Sequence, residues 1–301
     1  MVNRVATYAF TDTMVSSNMR LQSKYADINR QIASGLKSED YKGISGDAQY
    51  LLSLESAQGK LDAYNASGNT TLATTNIMYS TMGRIDDIAN SMLSALTAAQ
   101  SGVSIPGPVM AAQASNAMLE MAGLLNIKVA GRYIFSGSDI DTLPVDLADP
   151  AWAPQVTPST FNSTYYQGNN TVNAVQVSET LTVNYGVKAD NAAFEGLLRA
   201  YNLALNNPTN KIALAEASTL VKQAIDDVAN VRGILSTQTK SIENQIDENS
   251  LDKTYLLEVS SNIKEVDIPS ASVQLTSVQS QLEASYSASV RILNLTLVNY
   301  L

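Results

Sequence analysis

The chain has 301 residues, 45% of them hydrophobic but only 6% aromatic, and 19 basic against 28 acidic side chains give it a net charge of −9. That length allows two or three modest domains with a real core, and the scarcity of rings suits helices packed side by side better than a β-sandwich. Neither Cys nor His occurs, which excludes disulfides, thiolate nucleophiles, the Ser-His-Asp triad and the usual sulfur and imidazole metal ligands, while the acidic balance makes nucleic acid and anionic membrane poor partners.

Helical period dominates both ends of the chain. Met14, Leu21 and Ile28 fall seven apart, with Tyr25 and Ile32 at the alternate seam positions. Such an a/d stripe predicts a helix built to lie along another helix. The stretch GLKSEDYKGISG, residues 35–46, reads as a loop. In the second, longer helix Leu54, Leu61, Met82 and Leu96 share one seven-residue phase, thickened by Met78, Ile85 and Met92. The methionines are read as core packing rather than as an adaptable groove. Pro106, Gly107 and Pro108 then force a turn, and a third helix carries Met110, Ala114, Ala117, Met121 and Leu124.

Between about Gly131 and Asp190 the helical period disappears and Pro144, Pro150, Pro154 and Pro158 crowd together. Leu181, Val183, Tyr185 and Val187 alternate as in a half-buried strand, and Val175 and Val177 supply a partner. Helices return with Val221, Ile225, Val228, Leu235, Ile242 and Ile246, a stripe that continues to Leu256, Val259 and Ile263. Asp267 and Pro269 mark a helix start. The last helix presents Leu275, Val278, Leu282, Tyr286, Leu293, Leu297 and Leu301. Chain ends fray unless docked, so this apolar end predicts a partner surface.

The expected fold is therefore mainly α: a long antiparallel helix bundle or coiled coil built from the N- and C-terminal segments, with one small β-rich domain inserted in the middle. Residues 1–45 plus 265–301 form the terminal coiled-coil assembly domain, 46–130 plus 191–264 a helical rod, and 131–190 the β-rich outer domain. Met14, Leu21, Tyr25, Ile28, Ile32, Leu275, Val278, Leu282, Tyr286, Leu293, Leu297 and Leu301 are the expected assembly interface.

No catalytic, cofactor or metal constellation stands up. Asp139, Asp141, Asp146 and Asp149 cluster, but a calcium loop starting at Asp139 has Leu143 and Pro144 where an oxygen ligand and Gly are needed. Ser34 and Lys37 form an S-x-x-K without the other motifs of acylating enzymes. The phosphate-cradling glycine loops are absent. Trp152, Tyr165 and Tyr166 could stack on a sugar, as in an adhesin module on a helical stalk. Exposed coplanar rings favour that reading and buried rings a structural core. No run of about 18 apolar residues predicts a membrane-spanning helix, and the opening MVNRVATYAFTDTMVSS has too many polar residues for a signal peptide.

Four segments resemble the flagellin superfamily, and within it the hook–filament junction family: MRLQSKYADINRQIASGLK near the start, GRYIFSGSDIDTLP at residues 131–144, YYQGNN before the alternating strand, and LEASYSASVRILNLTLVNYL at the end. The second is the most specific, and after the first helix DYKGISGDAQ departs from the proline-bracketed turn of many relatives. The resemblance implies an axial structural protein, exported through the flagellar type III apparatus without a cleaved leader, whose terminal helices fold on assembly. It implies as partners copies of the chain, the first hook-associated protein, flagellin and an export chaperone. A short flagellin forming the filament itself is the nearest rival. Absence of thiols suits a chain that crosses a narrow channel unfolded.

Overall fold

The computed structural model describes the backbone of residues 2–101 and 105–298, and the side chains of residue 9 and of residues 11–101 and 105–291. Helices dominate: α1 (Val2–Ser34), α2 (Ala48–Gln100), α3 (Gly107–Leu125), α4 (Ala192–Asn206), α5 (Lys211–Lys264) and α6 (Ile268–Val298). A 3-10 turn at Tyr41–Ile44 lies within the stretch expected as loop, and there are two antiparallel hairpins, β1 (Lys128–Val129) with β2 (Arg132–Tyr133) and β3 (Ala174–Gln176) with β4 (Thr182–Asn184). The chain divides into a terminal unit, Met1–Gly59 with Lys253–Leu301, and a central unit, Lys60–Asp252. Residues 131–190 lie in the central unit with the helices that flank them.

The central unit has one large core. Met78, Met82 and Met92 of α2 are buried with Met110 and Met121 of α3, and Leu197, Val221 and Val228 of α4 and α5 join them. Helix α4 is not among the helices expected from periodicity. Ala193–Leu198 and Ala200–Ala204 are all buried, although Phe194, Leu197, Leu198, Tyr201 and Leu205 do recur at helical spacing in the sequence. Its boundaries were nevertheless written in the chain: Asn191 caps it, accepting the Ala193 N–H at 3.0 Å, and Pro208 follows its end.

The segment between β2 and α4 has little sheet. Val175 pairs with Val183 as the alternation predicts, and with Val177 they pack on Ile242, Leu72 and Ile246. Asn249 fastens this hairpin to the helices, its amide donating to the Val177 carbonyl at 2.8 Å and to Asn65 at 3.0 Å. Gly68 allows α2 and α5 to approach there, since an added Cβ would stand 2.8 Å from Ile246. The β1–β2 hairpin turns through Ala130 at φ +49 and Gly131 at φ +81, the left-handed pair of a type I′ turn.

In the terminal unit α1 pairs with α6. Two chain turns lock together beside them: the Lys37 N–H donates to the Lys264 carbonyl at 2.7 Å and the Val266 N–H to the Gly35 carbonyl at 2.9 Å. The Lys37 ammonium also donates to the Asn262 and Ile263 carbonyls at 2.6 and 3.0 Å, capping the end of α5. Helix α6 starts as Asp267 and Pro269 predict, with the Asp267 carboxylate accepting the Ser270 N–H at 3.1 Å.

Candidate assembly surface

Seven of the expected interface residues come together inside the chain. Leu21, Tyr25, Ile28 and Ile32 of α1 close on Leu275, Val278 and Leu282 of α6, joined by Ala271 and Val266. Only Ile28, Ala271 and Val278 are fully covered. Met14 is half-buried, and Tyr286 is exposed. Leu293 and Leu297 are helical in backbone, but their side chains, and all of Leu301, lie outside the described residues.

Three residues outward from Leu21 and Leu282 the seam turns polar. The Ser285 hydroxyl donates to Asn18 at 2.5 Å, and the Gln22 amide donates to the Tyr286 hydroxyl at 2.5 Å. A polar pair in an apolar seam fixes register at some expense of stability. Meanwhile the unit leaves large apolar side chains in water, among them Val15, Met19 (63% exposed), Tyr255, Val273 (72% exposed) and Val290. Val15 and Met19 sit off the heptad phase of α1, whereas Val290, seven residues before Leu297, lies on the phase of α6. Val15 and Met19 are four apart on α1, a second-face signal that the search for one stripe passed over.

Charge is spread unevenly too. Residues 1–59 and 253–301 hold nine basic against ten acidic side chains, whereas residues 60–252 hold ten against eighteen. The terminal unit therefore opposes close packing of like copies far less. Within it, the Lys264 ammonium and the Tyr41 hydroxyl both donate to Glu55, at 2.5 and 2.8 Å. The Lys264 bond, then the Tyr41 bond, hold the Glu55 carboxyl below its ordinary range, and the same carboxylate pushes the Tyr41 phenol up.

The other candidate chemistries are accounted for locally. Lys37 is committed to the α5 carbonyls and Ser34 Oγ accepts the Leu36 N–H at 3.2 Å, so they form no dyad. Asp139 accepts from the Thr142 hydroxyl, and Asp146 and Asp149 accept the N–H groups of Ala148 and Ala151. Among the described residues no three acidic side chains are grouped to hold a metal. Trp152 and Tyr165 are buried edge to face, centroids 5.0 Å apart at 83°, and Tyr166 is half-buried. They are core, not a coplanar sugar platform. Among the described residues no helix is long and apolar enough to cross a membrane.

The proline-rich segment is tied down by side chains of α4 and α5. Glu216 accepts from the Ser159 N–H and hydroxyl at 2.7 and 2.6 Å and from the Thr157 hydroxyl at 2.5 Å. Glu195 accepts the Asn162 N–H at 2.9 Å, and Asn202 accepts the Gln155 N–H at 2.8 Å. Burial raises the Glu195 carboxyl above its ordinary range. Burial acts on Glu216 in the same direction, but the Ser159 and Thr157 hydrogen bonds outweigh it and leave that carboxyl lowered.

Residues 218–301 match the family model of the bacterial flagellin C-terminal helical region. No curated protein matches the sequence. Among solved structures, a protein from Vibrio parahaemolyticus assigned as a flagellar hook-associated protein superposes with a TM-score of 0.58 at 14% identity, over 75% of this chain and 99% of that one. The FlgL protein of Bacillus cereus gives 0.44 at 15% identity, over 73% and 99%, and hook-associated protein 3 of Legionella pneumophila 0.43 at 12%, over 74% and 97%. The first of these likenesses establishes a shared fold.

Proposed function

We propose, on the premise that residues 218–301 form a flagellin-type C-terminal region, that this chain is a structural axial protein of the bacterial flagellum, standing between hook and filament. The observation that carries the reading is the terminal unit itself. It joins α1 and α6 in one helix pair whose seam is thin and which leaves apolar side chains in water. Apolar side chains exposed beside so thin a seam are what neighbouring subunits would cover. Its near balance of charge lets like copies pack, and the fold shared with the Vibrio protein, itself assigned to the hook-associated proteins, favours the junction over the filament.

In this reading the terminal assembly segments, 1–45 with 265–301, present Met14, Tyr286 and the outer apolar residues of α1 and α6 to other copies, to the first hook-associated protein on one side and to flagellin on the other. The seam residues Leu21, Tyr25, Ile28, Ile32, Leu275, Val278 and Leu282 act indirectly, by shaping the pair that presents it. Residues 46–130 with 191–264 are the rod and 131–190 face outward. The chain works by packing rather than by catalysis, leaves the cell by the flagellar export route, and is held before export by a chaperone.

Electron microscopy of the purified chain, alone and with isolated hooks bearing the first hook-associated protein, tests this. The expected result is a cap on hook ends from which added flagellin grows. Long filaments formed by the chain alone would make it a flagellin instead.

A further inference from the structure

Along their outer halves α1 and α6 form a pair with two unlike sides. Met14 and Asn18 of α1 and Ser285 and Ser289 of α6 hold the half-buried positions that continue the seam. The residue after each of them is large, apolar and exposed: Val15, Met19, Tyr286 and Val290. The residue before each is small: Thr13, Ser17, Ala284 and Ala288. One residue turns a helix by about 100°. The two helices run antiparallel, with Asn18 bonded to Ser285 and Leu36 bridged to Glu265. The same turn about each axis therefore carries the following residues of both helices to one side of the pair and the preceding residues to the other. Tyr286 illustrates it, since its hydroxyl accepts from Gln22, the residue after Leu21 of the seam.

Charge divides the same way. Glu283 follows Leu282 of the seam, and Asp12 follows Thr11, seven residues before Asn18, so both carboxylates lie on the large side. Arg20 and Lys24 precede Leu21 and Tyr25, so both cations lie on the small side. All four are exposed, and among the described residues none has an ion-pair partner. Asp27, further in on the small side, is engaged by Arg30 at 2.8 Å.

We propose that the large side of one α1–α6 pair packs on the small side of the pair in a neighbouring copy of the same orientation. The contact rests on the reading that copies of this chain stand together in an axial assembly. Size and charge both select a second copy as the occupant. Met19 and Tyr286 pack best against small side chains, which the opposite side of the same pair supplies. Asp12 and Glu283 then meet Arg20 and Lys24, whereas large side against large side would set carboxylates together. Arg20 and Glu283 stand at one level, each two residues inward of the Asn18–Ser285 bond, so copies set side by side bring them together without an axial shift. The contact is head-to-tail: every copy uses both sides, and the row extends or closes as a ring.

The chain has no cysteine, so full-length Met19→Cys and Ala284→Cys chains, mixed under mild oxidation, read the contact directly, free in solution and bound to hook ends. Both positions are exposed, and Leu119→Cys is an exposed control. The Met19–Ala284 adduct is expected at least fivefold above the Met19–Met19 and Met19–Leu119 adducts. Adding Glu283→Arg to the Met19→Cys chain should lower it at least threefold, and adding Arg20→Glu with Lys24→Glu to the Ala284→Cys chain should then restore most of it. A dominant Met19–Met19 adduct, a mixed adduct no more abundant than the control, or a charge swap that restores nothing overturns the proposal. If hook ends are capped but carry no mixed adduct, the pairing is wrong and the junction reading stands. If mixed adducts form in solution while hook ends stay bare, the pairing stands and the junction reading is wrong. If neither is seen, both fall.

Discussion

Helix α5 is unbroken from Lys211 to Lys264, yet its two stretches live in different surroundings. In the central unit Val221, Val228, Leu235 and Ile242 are buried, covered by α2, α4 and the segment between them. In the terminal unit Leu256, Val259 and Ile263 continue the stripe but are only half-buried, and Tyr255 and Leu257 stand exposed. The apolar period is the same throughout. What changes is the number of layers laid over it. Periodicity therefore reports that a face is apolar and leaves open whether this chain or another covers it.

That contrast can be broken experimentally, beginning with the core. Phe194→Ala removes a fully buried ring that packs edge to face on Phe135 at 6.1 Å. It should lower the unfolding free energy of the central unit by about 3–5 kcal/mol, read as a shift of the urea midpoint. A smaller shift, equal to that of a surface variant, would deny the central unit its single core. Ile28→Ala, in the thin seam, should cost about 2 kcal/mol, the low end for such truncations because a shallow site relaxes. Hydrogen exchange should quicken along α1 and α6 while α4 keeps its protection; equal quickening in α4 would mean the two units are not separable.

Asn249→Leu leaves the Val177 carbonyl without its amide donor and should cost about 1–3 kcal/mol, again by urea titration. Ala130→Gly relieves a left-handed alanine and should stabilise the central unit by about 1 kcal/mol; no gain would mean that the turn relaxes when the side chain is removed. The smallest effect concerns pH. Glu216 has a folded value below its ordinary 4.5, so its stabilisation is complete above that value and is lost as pH falls through the folded one. The stability difference between the wild type and Glu216→Gln should shrink on acidification, and a difference independent of pH would refute the assignment. Glu195, raised by burial, acts with the opposite sign: its charge opposes folding above the raised value, and that penalty fades as the pH falls towards the ordinary one.

Much of the fold was legible because long helices repeat their signal many times. Leu54, Met82 and Leu96 of α2 fall on one buried line, and Asp267 starts α6 where its side chain can cap. Helix α4 was missed although Phe194, Leu197, Leu198, Tyr201 and Leu205 carry a stripe: it is only 15 residues long, so the period repeats too few times to stand out beside the long helices. The anchoring of residues 155–162 was illegible because Glu195, Glu216 and Asn202 are distant from it in sequence, and nothing local marks an acidic side chain as an acceptor for a far loop. At the candidate surface the seam residues were found, but seven of them are satisfied within the chain. Val15 and Met19 were missed because a single-phase search discards whatever lies off the phase.

The interlocked turns at residues 35–37 and 264–266 carry a consequence for the order of folding. Their partners meet only after everything from residue 60 to residue 252 has been placed between them. Closing so long a loop while it is random chain is slow and entropically unfavourable, whereas the central unit is continuous in sequence and can form first. The clasp is therefore expected to form last: damage to the central core should release both, while damage to the clasp should leave the core standing.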